Sequence, residues 1–272
     1  LQDKDPAYRV LNISVDAWQD ASTSYFHKSI GGYHGAKLKR IQELYEQVMD
    51  AQINGMRTEL GAAFGAGPAA DSLIQVAMSK QSALNMLNAK YVIYNPDGGV
   101  IENKSACGGA WFVDEVKIVP NADAEIVAVK TFDPHKTAIV DTRYSAQVAN
   151  YKGGADPTAS IKVVSHAPDK IVYESNSGSE KVAIFPEIYY PAGWKVTIDG
   201  KESEFFCADY VLRGIKVPAG KHNIVFEFHP DKYYTGEKIA MVGSILVFLM
   251  LIGGIYMQIR TNKKQQAEQT KE

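Results

Sequence analysis

The chain has 272 residues, 46% hydrophobic and 22% charged, and a formal net charge of -2. That near-neutral balance supplies no basic stripe and argues against a nucleic-acid partner. Cys107 and Cys207 are the two cysteines; without CxxC spacing they speak against zinc, and two separate buried thiols are the default over one disulfide.

Tyr8-Arg9-Val10-Leu11-Asn12-Ile13 reads as a short strand, followed by a polar, aromatic loop to about Gly35. Over residues 36–53, Leu38, Ile41, Leu44, Tyr45, Val48 and Met49 recur at helical spacing, with Lys39, Arg40, Glu43 and Glu46 opposite. Residues 61–70 are small and Gly-rich, a flexible connection. A second helix is expected over 71–88, a strand over 90–94 and a turn over 95–99.

After Trp111 the pattern changes to short strands, expected at 126–132, 137–144, 161–165, 170–174, 181–187, 194–198, 210–217 and 223–228. Asp199-Gly200 is a hairpin signal. Trp194, Val196 and Ile198 share one face, as do Ile224, Phe226 and Phe228, whereas Arg213 interrupts the apolar face of Val211, Ile215 and Val217. Strands at this spacing predict an antiparallel β-sandwich.

Residues 239–259 contain no charged side chain. As a helix they span roughly 32 Å, enough to cross a bilayer's hydrocarbon core. Tyr233 and Tyr234 stand before the run, and Arg260, Lys263, Lys264 and Lys271 follow it. With only Lys232 and Lys238 close ahead, the bias favours a cytoplasmic tail. The predicted fold class is therefore α+β. A mixed α/β subdomain is expected at residues 1–122, a β-sandwich at 123–235, a transmembrane helix at 236–260 and a tail at 261–272. The opening at Leu1, with neither an initiator Met nor a signal-peptide pattern, reads as the C-terminal piece of a longer, polytopic protein.

Residues 24–40 combine glycines, histidines, cations and aromatics ahead of a helix. Exposed N–H groups and the helix dipole favour an anion such as phosphate there. Lys28, Lys37 and Arg40 would neutralise it; Tyr25, Phe26 and Tyr33 would stack on a sugar or meet lipid. The candidate substrate-binding residues are Tyr25, His27, Lys28, Tyr33, His34, Lys37 and Arg40; the bland alternative is a structured loop with solvated cations. His27-Lys28-Ser29-Ile30-Gly31 imitates a nucleophile elbow but lacks its first glycine and leading strand. Gly65-Ala66-Gly67-Pro68-Ala69-Ala70 imitates a dinucleotide fingerprint but follows a helical stretch. No catalytic residue, cofactor or metal is assigned.

Nearly the whole chain resembles the C-terminal part of the YfhO family of bacterial membrane proteins. The resemblance rests on Ser24-Tyr25-Phe26-His27-Lys28-Ser29-Ile30-Gly31-Gly32-Tyr33-His34, Leu84-Asn85-Met86-Leu87-Asn88-Ala89-Lys90-Tyr91-Val92-Ile93 and Gly108-Gly109-Ala110-Trp111-Phe112-Val113. It continues in Tyr190-Pro191-Ala192-Gly193-Trp194, Ala208-Asp209-Tyr210-Val211-Leu212-Arg213 and Val217-Pro218-Ala219-Gly220-Lys221-His222. The chain departs from the family pattern at Gly109, where Asn is usual, and at Cys107, where a larger apolar residue is usual. The resemblance implies a parent of GT-C type, a membrane glycosyltransferase with a polyprenyl-phosphate-linked sugar donor and a cell-envelope polymer as acceptor. The catalytic acidic residue of such enzymes lies in an early outer loop not contained here, so this part would be an extracytoplasmic (periplasmic) accessory domain on the bacterial cytoplasmic membrane. Its partners would be upstream transmembrane helices of the same parent, the donor lipid and the glycopolymer. The alternatives are a membrane-anchored carbohydrate- or partner-binding module, with Tyr189, Tyr190 and Trp194 as its aromatics, and a domain that only orients membrane helices.

Overall fold

The computed structural model describes residues 3–33 and 35–269. Strand β1 (Arg9–Asn12) runs parallel to β2 (Ala89–Ile93), and β3 (Ile101–Glu102) pairs antiparallel on the other side of β2. A parallel pair needs a long crossover. Here it is helical: α1 (Lys39–Leu44), a widened turn at Tyr45–Met49, α2 (Asp50–Phe64), α3 (Ala70–Ser79) and α4 (Ser82–Met86).

Two expectations change in this segment. The helix read over 36–53 starts at Lys39 and continues to Phe64, so Gly61 is helical rather than part of a flexible connection. The proline that cannot continue it is Pro68, several residues later. The helix read over 71–88 is two helices. Gln81 leaves helical geometry, and tertiary contacts hold the new start: Gln52 accepts from the Ala83 N–H at 3.1 Å, and Ser82 Oγ donates to the Val129 carbonyl at 2.7 Å.

Next come β4 (Trp111–Val113), β5 (Glu115–Val119), α5 (Ala122–Ala128) and β6 (Thr137–Asp141). The strand expected at 126–132 is not formed; Ile126 and Val127 lie in α5. Asn121 caps that helix by accepting from the Ala124 N–H at 2.9 Å, and Asp123 and Glu125 occupy its first turn. β5 and β6 are parallel with α5 as their crossover, a βαβ unit inside a region read as purely antiparallel.

The remaining strands are β7 (Ser160–His166), β8 (Lys170–Ser177), β9 (Lys181–Ile188), β10 (Trp194–Ile198), β11 (Lys201–Ser203), β12 (Phe206–Ala208), β13 (Leu212–Val217) and β14 (Gly220–Phe228). They build a five-stranded sheet, β11-β10-β14-β8-β7, and a four-stranded sheet, β12-β13-β9-β4. Tyr173, Phe185, Val196, Ile215, Ile224 and Phe226 pack between them, giving the sandwich. Asp199 and Gly200 take the positive φ values of 51° and 78° that a tight hairpin between β10 and β11 requires.

Strand β9 explains why its sequence does not alternate. Ala183 and Phe185 face the inter-sheet core, while Val182 and Ile184 join a second, larger core with Leu11, Leu44, Trp111, Ile139 and Leu212. A strand covered on both faces reads as a continuous apolar run. The larger core draws on helices and strands from both sides of residue 122. The strand read over 210–217 begins at Leu212, because Asp209 and Tyr210 form a turn with φ of 50° and 72°. Arg213 stays on the inner face; its guanidinium lies 4.0 Å from the Trp194 ring centroid. Gly109 is required by packing: a Cβ there would collide with Val163 and the Ala7 methyl, so the family's usual Asn does not fit this backbone. Cys107 and Cys207 are buried free thiols.

These elements form one compact unit that ends at Phe228. The second unit contains α6 (Asp231–Gln269), which over Asp231–Lys263 is long and apolar enough to cross a membrane. Residues 270–272 of the expected tail lie outside the described residues.

Candidate functional site

The 24–40 loop is pinned at its glycines. Gly31, at φ 118°, passes so close to the Ala17 carbonyl that any Cβ would overlap it, and the Gly32 N–H donates to that same oxygen at 2.7 Å. This crossing turns the two arms of the loop toward one cleft of about 290 Å³. Ser29, Ile30 and Gly31 line it from one arm, and Ala36, Lys37 and Leu38 from the other. Trp18, Ile41 and Ile188 add an apolar wall, and Arg9 a second cation.

Lys37 is the predicted residue that lines this cleft. Its Nζ stands 5.2 Å from the Trp18 ring centroid and donates to the Trp18 carbonyl at 3.5 Å. A cation held over an aromatic face, beside apolar walls, suits an amphiphile with an anionic head. Arg9 is more committed. It donates to the Leu87 carbonyl at 2.9 Å, to the Pro186 carbonyl at 2.5 Å and to Glu187 at 3.3 Å.

Lys28 points elsewhere. Its ammonium donates to the Pro6 carbonyl at 2.5 Å and stands 3.0 Å from His166 Nδ1, while His166 Nε2 lies 3.1 Å from Glu187 Oε1. Both contacts are satisfied when Nε2 donates to the carboxylate and Nδ1 accepts from the ammonium. Desolvation pulls the Lys28 ammonium below its ordinary pKa, with Glu187 opposing. Burial pushes against the Glu187 charge, yet the His166 hydrogen bond and Arg9 hold its carboxyl down to about 2. The result is a hydrogen-bonded polar chain, Lys28–His166–Glu187–Arg9, joining the loop and β1 to β7 and β9.

Arg40 turns inward. It donates to the Tyr210 carbonyl at 2.6 Å, lies 3.5 Å from the fully buried Glu125 and covers the Tyr210 ring at 4.6 Å. The Glu125 carboxylate also accepts from the Tyr210 N–H at 3.0 Å. Burial raises Glu125 to about 7 against these partners, and raises Asp209, also buried, well above its ordinary value. Reasoning from spacing alone missed Glu125 and Asp209; the positive-φ turn at Asp209-Tyr210 is what aims the Tyr210 amide at Glu125 and the Tyr210 carbonyl at Arg40.

Tyr25, Phe26 and Tyr33 project outward, 84%, 82% and 69% exposed. His27 is half-buried against Tyr8, its Nδ1 3.4 Å from the Tyr8 hydroxyl. His34 lies outside the described residues. The structure thus separates the predicted set into Lys37 at the cleft, Lys28 in a charge chain, Arg40 in the interior and three exposed aromatics. Among the aromatics of the alternative reading, Trp194 is covered by Arg213, and Tyr189 packs against Tyr144 and Phe205. Tyr190 is exposed. Among the described residues no group of three or more His, Cys, Asp and Glu side chains is arranged to hold a metal ion.

Residues 139–240 match the model of a family described as bacterial membrane protein YfhO. The chain carries a YfhO-family segment. No curated protein matches it. The YfhO-family segment opens within β6, takes in the strands from β7 to β14 and ends at the start of the apolar run. It contains His166, Glu187 and the Asp209-Tyr210 turn; their partners Arg9, Lys28, Arg40 and Glu125 lie before it, as does the 24–40 loop. The membrane-protein family and α6 together make this a membrane protein.

Proposed function

We propose that the unit ending at Phe228 is the extracytoplasmic accessory domain of a membrane glycosyltransferase. In this reading the parent transfers a sugar from a polyprenyl-phosphate donor to a cell-envelope polymer, and the cleft beneath the 24–40 loop receives the donor's phosphate end. The supporting observation is the composition of that cleft: Lys37 beside Trp18 and aliphatic walls pairs a cation with an apolar surface. A polyprenyl phosphate presents the same combination, an anionic group next to hydrocarbon. No carboxylate among the described residues lies at ion-pair distance from Lys37, so its charge is available to a ligand. In this reading the domain's part is binding and positioning.

The test is transfer by the full-length parent carrying Lys37→Gln. Loss of one charge-assisted hydrogen bond of about 1.5–3 kcal/mol corresponds to roughly 10- to 100-fold weaker donor use. The expected result is that loss, with normal folding and membrane insertion. Lys37 is a cleaner probe than Lys28, whose ammonium ties the loop to Pro6 and His166. Unchanged transfer by the Lys37→Gln protein overturns the phosphate role.

A further inference from the structure

The last strand of the first unit and the apolar helix are separated by two residues only, His229 and Pro230. Two residues reach at most ~7 Å. The polar first turns of α6, ahead of the uncharged run that begins at Ile239, add roughly 12 Å. Phe228 is therefore leashed within about 20 Å of the hydrocarbon boundary that α6 enters.

Lys28, within the 24–33 segment, lies at that same end of the five-stranded sheet. The Phe228 N–H donates to the Asp169 carbonyl at 2.7 Å, in the turn that joins β7 to β8. His166, paired with Ile171 across this turn, is the residue that Lys28 grips. Beside Lys28, Tyr25 and Phe26 hold two large aromatic side chains almost wholly in water. Fully burying a side chain of this size is worth ~1.5–3 kcal/mol, which an isolated domain leaves unrealised. Residues 21–40 hold Lys28, Lys37, Lys39 and Arg40 and no acidic residue. Aromatics with neighbouring cations are the composition of a membrane interface.

We propose that the loop bearing Tyr25, Phe26 and Tyr33 is an interfacial anchor that seats its aromatic rings in the headgroup layer of the bilayer entered by α6. The exposed Lys28 and Lys39 are the cations it can bring near lipid phosphates, since Arg40 is held by Glu125 and Lys37 by the cleft. The anchor is a property of the loop and the bilayer alone, and holds whether or not the domain takes part in sugar transfer.

The test uses the full chain reconstituted in vesicles of phosphatidylcholine and phosphatidylglycerol, with no polyprenyl phosphate added. A nitroxide is attached at Phe26→Cys and, as the reference, at Lys221→Cys, exposed near the start of β14 at the opposite end of the sheet from Phe228. The unsubstituted chain, with both native thiols buried, serves as the blank. Relative to the Lys221 site, the Phe26 site should collide several-fold more with oxygen than with a water-soluble nickel chelate. Equal chelate access at the two sites overturns the proposal. So does shielding of the Phe26 site from both reagents, which means that protein, another segment or a second copy, covers the loop. If Phe26→Cys does not fold, Tyr33→Cys gives the same reading. A Lys37→Gln chain that still seats its loop but fails in transfer separates this anchor from the donor-binding role.

Discussion

Replacing Arg40 by Met is expected to cost the first unit about 3 kcal/mol at pH 8 and clearly less near pH 5.5. Arg40 keeps a fully buried carboxylate, Glu125, beside a cation at 3.5 Å and also satisfies the Tyr210 carbonyl. Removing the guanidinium while keeping the apolar stem leaves that carboxylate two options, to stay charged without a partner or to take a proton. The second option sets the pH dependence. Burial already raises Glu125 to about 7, and loss of Arg40 raises it further. Below that range the variant buries a neutral acid at modest cost; above it, folding must hold a proton that the solvent no longer favours. The unsubstituted protein shows the same sign. From the ordinary value of 4.5 up to about 7 the native state binds more protons at Glu125 than the unfolded chain. Stability therefore falls as pH rises through that window, by at most about 3 kcal/mol. Asp209, shifted in the same direction, adds to the slope. Urea unfolding of the full chain in micelles, followed by tryptophan fluorescence between pH 5 and 8, measures both effects. Glu125→Gln should flatten the profile, and an Arg40→Met penalty that is constant across this range contradicts the account.

How much of this was legible depends on whether the deciding contact was local. Asp199-Gly200 gave a correct hairpin because its turn chemistry is carried by those two residues, and α6 was readable from an uninterrupted apolar run. The strand expected at 126–132 failed because Ile126, Val127 and Val129 favour strands on average. The cap at Asn121, with two acids following, was the available counter-signal. Arg213 looked like a flaw in a strand face; only the structure shows Trp194 brought beneath it by a different sheet. The candidate site divides on the same line. The 24–40 loop was recognisable as an unusual composition, but nothing in its order distinguishes Lys37, which meets the cleft, from Arg40, which meets Glu125. Their partners are about 20 and 85 residues away, Trp18 and Glu125, and no periodicity within the loop encodes them.

Glu187→Ala is expected to be the most damaging of the substitutions considered, at about 3–5 kcal/mol, because the carboxylate compensates more than one cation. Arg9 bonds to it at 3.3 Å and His166 at 3.1 Å, and through His166 it orients Lys28. Arg213 is also within its electrostatic reach; burial draws that guanidinium below its ordinary pKa, and Glu187 partly restores it. Arg213 Nη1 has no hydrogen-bond partner, so it depends on this field and on the Trp194 face for compensation. Deleting the acid leaves the Arg9 guanidinium at the joint between β1 and β9 and the Arg213 guanidinium between the two sheets without it, and guanidinium, unlike Glu125, cannot escape by changing its protonation. The penalty should therefore be nearly constant from pH 6 to 8, in contrast to that of Arg40→Met. The acid limb has its own sign. Glu187 falls from 4.5 to about 2 in the fold, so its contribution is complete above the ordinary carboxylate range and is lost as pH drops toward 2. Pairing the change with Arg9→Met should recover part of the loss, since removing both charges is less costly than stranding one. If the double variant is as unstable as the sum of the singles, the two residues are not coupled and the joint between β1 and β9 is held by packing alone.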